Sequence, residues 1–78
     1  MTWKLERYTN DSSLRLCLRH PSGREQRRWE GRHAHAILAH PCGREFHRLP
    51  PDASLHQGQV RRLVLAAACA AWALGSEG

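Results

Sequence analysis

The first third of the chain alternates. Leu14, Leu16 and Leu18 are apolar, and Arg15 and Arg19 beside them are charged. A period of two puts one side of the backbone in a core and the other in water, the pattern of a half-buried strand. The stretch TWKLERY over 2–8 supplies an earlier strand, and TNDSS over 9–13 is a connecting loop of turn formers.

Toward the C-terminus the period changes. Val60, Leu63, Val64, Ala67, Ala71 and Leu74 recur at spacings of three and four, the apolar stripe of an amphipathic helix. Ser54 with Gln57 three residues on reads as a capping box, and Gly75 as a stop. A helix is therefore predicted over 55–74. Leu65, Cys69 and Trp72 form a second apolar face on it. A helix lying on a sheet needs only one stripe. Either loops or the N-terminal strand cover the second face, or it is an interface with a second copy or another partner, with Trp72 as its anchor.

Between these segments lies a repeat. HPSGRE over 20–25 and HPCGRE over 40–45 differ at one position. In each, Pro presets one corner of a turn and Gly accepts positive φ at the other. The match extends outward, so that 14–29 and 34–49 both read as strand, tight turn, strand. RHAHAILAH is ambiguous by itself, because Ala34, Ile37, Leu38 and Pro41 also lie at helical spacing. The parallel with the first unit favours a strand there. EGR over 30–32 joins the two units by a short turn, and the two prolines of LPPDAS over 49–54 end the sheet. The expected architecture is α+β, a single domain over 1–78. An antiparallel meander of four to five strands, in two similar hairpins over 2–49, precedes one C-terminal helix packed on the sheet.

Size and composition narrow this picture. A chain of 78 residues has room for a small core, and a partner or a dimer would add to its stability. Trp3, Trp29 and Trp72 are spread so that each could anchor that core. The apolar run LVLAAACAAWAL over 63–74 is too short for a bilayer, which needs about 20 residues, so no membrane span is expected. The cysteines are Cys17, Cys42 and Cys69. An odd number, with a charged MTWKLERYT start, argues against a disulfide framework and for a reduced, cytoplasmic setting.

Charge bears on partners. Twelve Lys and Arg oppose seven Asp and Glu, a net charge of +5 with a pI near 10.1, and all the cations but Lys4 are Arg. Arg suits bidentate contacts to phosphate and carboxylate; abundant Arg and Ala together are also what a GC-rich genome produces. Arg15, Arg19, Arg24, Arg27, Arg28 and Arg32 lie in and around the first hairpin, and Arg44 and Arg48 repeat Arg24 and Arg28 in the second. In a meander these form a basic band across one sheet face. Such a band fits an acidic protein surface, a nucleoprotein complex, or the phosphates of DNA or RNA. Aromatic platforms for single strands are scarce: Tyr8, Phe46 and one or two Trp.

Catalytic and metal signals are weak. His33, His35, His40, Cys42 and His47 cluster, with Cys17 and His20 in the first unit. On a strand His33 and His35 would share a face, but no CxxC and no His-x3-His pair accompanies them. Cys42 beside His40, with Glu45 nearby, is a thiol–imidazole juxtaposition. No oxyanion-hole loop or glycine-rich phosphate cradle goes with it. No metal, cofactor or catalytic residue is expected, and the chain reads as a non-enzyme.

In size, layout and lack of catalytic motifs, the chain resembles the very small orphan proteins of phages and mobile elements, anti-CRISPR proteins among them. These are often built as a short antiparallel sheet plus a helix. Many are acidic and mimic nucleic acid, whereas this chain is basic. The resemblance implies a small inhibitor or adaptor in the cytoplasm of a bacterial host, blocking target-DNA binding by a CRISPR surveillance complex. Its arginines would then meet acidic protein surface or the nucleic acid that complex handles. Direct nucleic-acid binding is the alternative.

Overall fold

The computed structural model of the protein describes residues 2–11 and 13–75. Strands β1 (Trp3–Asn10), β2 (Ser13–Arg19) and β3 (Glu25–Glu30) come first. Helices α1 (Gly31–Ala39) and α2 (Arg44–His47) come next, then β4 (Asp52–Leu55) and the long helix α3 (Gln57–Gly75). One antiparallel sheet has the order β3-β2-β1-β4. The α+β class, the four antiparallel strands and the C-terminal helix packed on the sheet are as expected. The hairpin tip is shorter than the five-residue loop expected: Thr9, Asn10 and Ser13 belong to strands and Asp11 turns at φ 55°. Ser12 of that loop lies outside the described residues.

Register explains which side of the sheet is covered. Leu5 sits opposite Leu18, Leu16 opposite Trp29 and Trp3 opposite Leu55, so these side chains share one face. The helices lie over it, α1 against β2 and β3, α3 against α1 and β4. Leu16, Leu18, Ile37, Phe46, Leu55 and Leu63 are the largest fully buried side chains. Of the three tryptophans, Trp29 is buried and Trp3 packs partly against the core. Trp72 does not: it is 80% exposed.

The second unit of the repeat is not a hairpin. Residues 31–39 are helical, and Arg44–His47 form one further helical turn. The repeated hexapeptide encodes a turn, and the turn is the same in both copies. Gly23 N–H donates to the His20 carbonyl and Gly43 N–H to the His40 carbonyl, each at 2.8 Å. In each, the histidine Nδ1 also accepts a backbone N–H two residues on, from Ser22 at 3.1 Å and from Cys42 at 3.0 Å. The imidazole thus does what Asn or Asp does in an Asx turn. Beyond the turn the two copies diverge. Gly23 has φ 94° and lets the chain return as β3. Gly43 has φ −106° and ψ −6°, which leads into α2. The flanks decide this: leucines alternate in the first copy, while Ala34, Ala36 and Ala39, good helix formers, fill the second. Gly31, at φ 58°, turns the chain from β3 straight into α1.

Two corrections concern the C-terminal region. LPPDAS does not end the sheet: Ala53 and Leu55 are buried and Ser54 is exposed, and the segment pairs with β1 at the sheet edge, where preceding prolines are tolerated. The capping box lies two residues later than expected. His56 N–H donates to Gln59 Oε1 at 3.0 Å, and Gln59 N–H donates to His56 Nδ1 at 3.3 Å, so histidine replaces serine as the cap and α3 starts at Gln57. The buried arc of α3 is Val60, Leu63, Ala66, Ala67 and Ala70. Val64 and Ala71, assigned to the core stripe by spacing, are exposed. In an Ala-rich helix side-chain size barely distinguishes one arc from the next. Backbone contact does: a Cβ on Gly43 would come within 3.3 Å of the Ala66 Cβ and would overlap the Ile37 carbonyl.

The two turn glycines therefore fail differently. Gly23→Ala leaves the packing alone and costs about 1–2 kcal/mol for its left-handed φ. Gly43→Ala forces backbone apart and costs about 3 kcal/mol or more. Urea denaturation of both variants separates them; equal losses would contradict the close approach at Gly43. In the same assay His40→Ala loses about 1 kcal/mol of turn hydrogen bonding, and His40→Asn restores most of it.

A cationic groove and an exposed apolar helix face as candidate sites

The eight arginines expected to form one band are divided among several surfaces. Arg15, Arg19 and Arg28 do share the uncovered face of the sheet, because they alternate with the buried leucines and with Trp29. That face is not a basic one. Arg19 Nε donates to Glu6 at 2.7 Å, and Arg28 bonds Glu25 at 2.9 Å with Glu30 at 3.6 Å. Arg15 lies 4.8 Å over the Tyr8 ring, which occupies the one exposed aromatic on this face. Beneath these side chains Cys17 is buried, and burial, with Glu25 beside it, pushes its thiol pKa up. Arg27 lies on the covered face and stacks on Trp29 at 5.3 Å. Arg24 reaches Gln26, and Arg32 sits in the exposed first turn of α1.

Arg44 and Arg48 are elsewhere. They stand on and just after α2 and line an open groove of about 800 Å³ between the β1–β2 tip, α1 and α2. Arg7, His35 and His47 line it too, with Asp11 as its carboxylate. Its remaining walls are Leu14, Leu38 and Ala39 with Thr9 and Ser13. Arg7 holds the groove together. It sits at an inward position of β1, its Nη1 donates to the Phe46 carbonyl at 3.2 Å and the His47 carbonyl at 2.9 Å, and its N–H donates to Pro51. Sequence reading passed over Arg7; the signal was a charged residue in phase with Trp3 and Leu5. No carboxylate among the described residues pairs with Arg44 or Arg48. As like charges four residues apart they repel by about 0.2–0.5 kcal/mol.

The second candidate surface is on α3. Directly opposite its buried arc lie Arg61, Leu65, Ala68 and Trp72. Leu65 is 52% exposed, Val64 beside it 37%, and Cys69 on the flank is half-buried. Of the residues expected to form this face, Leu65 and Trp72 are uncovered by loops or strands.

The thiol–imidazole and metal candidates are differently engaged. His40 Nδ1 accepts the Cys42 N–H, and Glu45 faces Arg62 and Gln59 of α3 rather than the imidazole. On helix α1 His33 and His35 no longer share a face. Among the described residues no three His, Cys, Asp or Glu side chains gather as for a metal ion. No described helix is long and apolar enough to cross a membrane. Comparison with protein-family models, curated proteins and solved structures returned no match.

The Glu45–Arg62 pair ties α2 to α3 and so frames the groove. Hydrogen bonding from Arg62, then Gln59, holds the Glu45 carboxyl below its ordinary value of 4.5. A carboxylate lowered on folding stabilises the fold above that value, and the contribution is lost as pH falls through the lowered pKa. Glu45→Gln is therefore expected to flatten the loss of stability below pH 4.5. Acid titration by circular dichroism checks this, and an unchanged acid slope would contradict it.

Proposed function

We propose that the protein is a small non-enzymatic adaptor or inhibitor that docks on an acidic face of a host protein or nucleoprotein complex. The observation that carries this is Trp72, 80% exposed on the outward face of α3. An exposed tryptophan with an apolar neighbour is the usual anchor of a protein interface, and it gains nothing for the isolated fold. The charge along the helix supports an acidic partner. Arg61 and Arg62 stand at its N-terminal end, and 57–75 contain no acidic residue. Complementary potential is what steers such encounters. The resemblance in size and layout to anti-CRISPR proteins gives this reading its specific form, obstruction of target-DNA binding by a CRISPR surveillance complex.

Direct nucleic-acid binding is the second reading, favoured by Arg44 and Arg48, which pair with no carboxylate among the described residues. The open sheet face argues against it as a stacking platform, because Arg19 and Arg28 face carboxylates and Arg15 already stacks on Tyr8.

Tagged protein, Trp72→Ala and Leu65→Glu are passed through bacterial lysate with and without nuclease, at low and high salt. The expected result is a defined acidic protein or complex that survives nuclease, rebinds as purified components and is lost with either variant. Both variants should fold, with stability within about 0.5 kcal/mol for Trp72→Ala. Recovery of nucleic acid alone, abolished by nuclease or salt, overturns the reading in favour of the second. A dimer in sedimentation that Trp72→Ala dissolves, with no partner captured, assigns the face to a second copy instead.

A further inference from the structure

We propose that the groove between the β1–β2 tip, α1 and α2 is a binding site for a phosphate monoester carried on an apolar body. None of its lining residues is on α3, so the site stands apart from the docking face above.

Charge is the first argument. Among the described residues, Arg7, Arg44 and Arg48 line the groove against the single carboxylate of Asp11. Three guanidiniums less one carboxylate leave an excess of two positive charges, before any charge on His35 or His47. That excess matches a phosphate dianion. A carboxylate ligand would leave half of it unbalanced. Several of the other arginines are paired with carboxylates: Arg19 with Glu6, Arg28 with Glu25, Arg62 with Glu45. Arg44 and Arg48, exposed on and just after α2, line the groove without a carboxylate partner among the described residues.

Geometry is the second argument. Arg7 is already immobilised, because its Nη1 is held by the Phe46 and His47 carbonyls. Its Nε and Nη2 have no acceptor among the described residues. A guanidinium fixed in advance loses little freedom on binding, and its fork suits phosphate oxygens. Thr9 and Ser13, which carry hydroxyls, belong to the same lining.

The apolar part of the lining decides the rest of the ligand. Leu14, Leu38 and Ala39 contribute wall that a bare ion cannot use. The groove, at about 800 Å³, falls within the size of sites for small organic molecules. A phosphate with an aromatic or aliphatic body fills both halves: oxygens against the arginines, body against the leucines.

The test is titration of phenyl phosphate into isotope-labelled protein, followed by backbone amide NMR, beside inorganic phosphate, benzoate and a short single-stranded oligonucleotide. Phenyl phosphate is expected to shift the amides of Leu14, Leu38, Arg44 and Arg48 saturably. Inorganic phosphate, lacking the body, and benzoate, lacking the second charge, should bind roughly fivefold or more weakly. Arg44→Gln with Arg48→Gln should weaken phenyl phosphate about tenfold with spectral dispersion unchanged. Both side chains are exposed, and the single variants serve should the double one unfold. Shifts that do not saturate, that fall equally on Arg15, Arg19 and Arg28, or that persist in the folded variants would overturn the proposal. So would saturation by the oligonucleotide with no response to phenyl phosphate, which would make the ligand a polymer backbone.

Discussion

Where Gly43 meets the Ile37 carbonyl and the Ala66 side chain, backbone packs against helix with no side chain between. Three elements are held at that point. The end of α1 supplies the carbonyl, the turn into α2 supplies the glycine, and α3 supplies a residue too small to push them apart. The closeness of α3 to α1 results from this, and with it the run of alanines 66, 67 and 70 in the core. Phe46 is then carried into the interior, and its burial contributes about 1.5–3 kcal/mol. Arg7 can reach the Phe46 and His47 carbonyls only because α2 is seated there. The groove is therefore a consequence of one contact between backbone atoms.

The arginines show why charge counted along a chain is a poor map of a surface. In sequence the eight look like one footprint, since the second copy of the repeat echoes the first. In space, strand alternation sends Arg15, Arg19 and Arg28 to a face they share with Glu6, Glu25 and Glu30, where the charges largely cancel. Arg44 and Arg48 go with α2 to the other side of the sheet. Of the remaining cations, Arg7, Arg44 and Arg48 meet at the groove, Arg61 stands at the N-terminal end of α3, and Lys4, Arg24, Arg27 and Arg32 are scattered. The molecule thus offers a cationic concavity with apolar walls and, separately, a convex apolar helix face beginning in arginine. These have different physical uses. Concave cationic walls suit an anionic group that can be surrounded, while Trp72 on a convex ridge has to be buried by another macromolecule.

The histidines have a similar lesson. His20, His40 and His56 each accept a backbone N–H at Nδ1, two in turns and one as a helix cap. In each case the neutral ring carries its proton on Nε2. Half of the chain's histidines are thus engaged in local backbone geometry, which accounts for their place in the repeated hexapeptide without any metal chemistry.

Local pattern by itself determined a good deal. The strict alternation of Leu14, Leu16 and Leu18 set β2 and its buried face; the three-and-four spacing after residue 57 set a C-terminal helix; the hexapeptides marked two like turns. The α+β class comes from these, and so does a second apolar face on the helix that one sheet cannot cover; that Leu65 and Trp72 of this face stay exposed was decided by the tertiary structure. The rest was decided by contacts between distant residues. RHAHAILAH satisfies both periods, and it became helix because Ala34, Ile37 and Leu38 must meet β2 and α3 together. ASL at 53–55 is too short to declare itself and became a strand only because β1 offered an unpaired edge. Which arc of an alanine-rich helix faces inward depends on Gly43, twenty-three residues from Ala66. The groove joins Arg7 to Arg44 and Arg48 across the chain, a meeting that no local periodicity encodes because it depends on where the backbone closes in three dimensions.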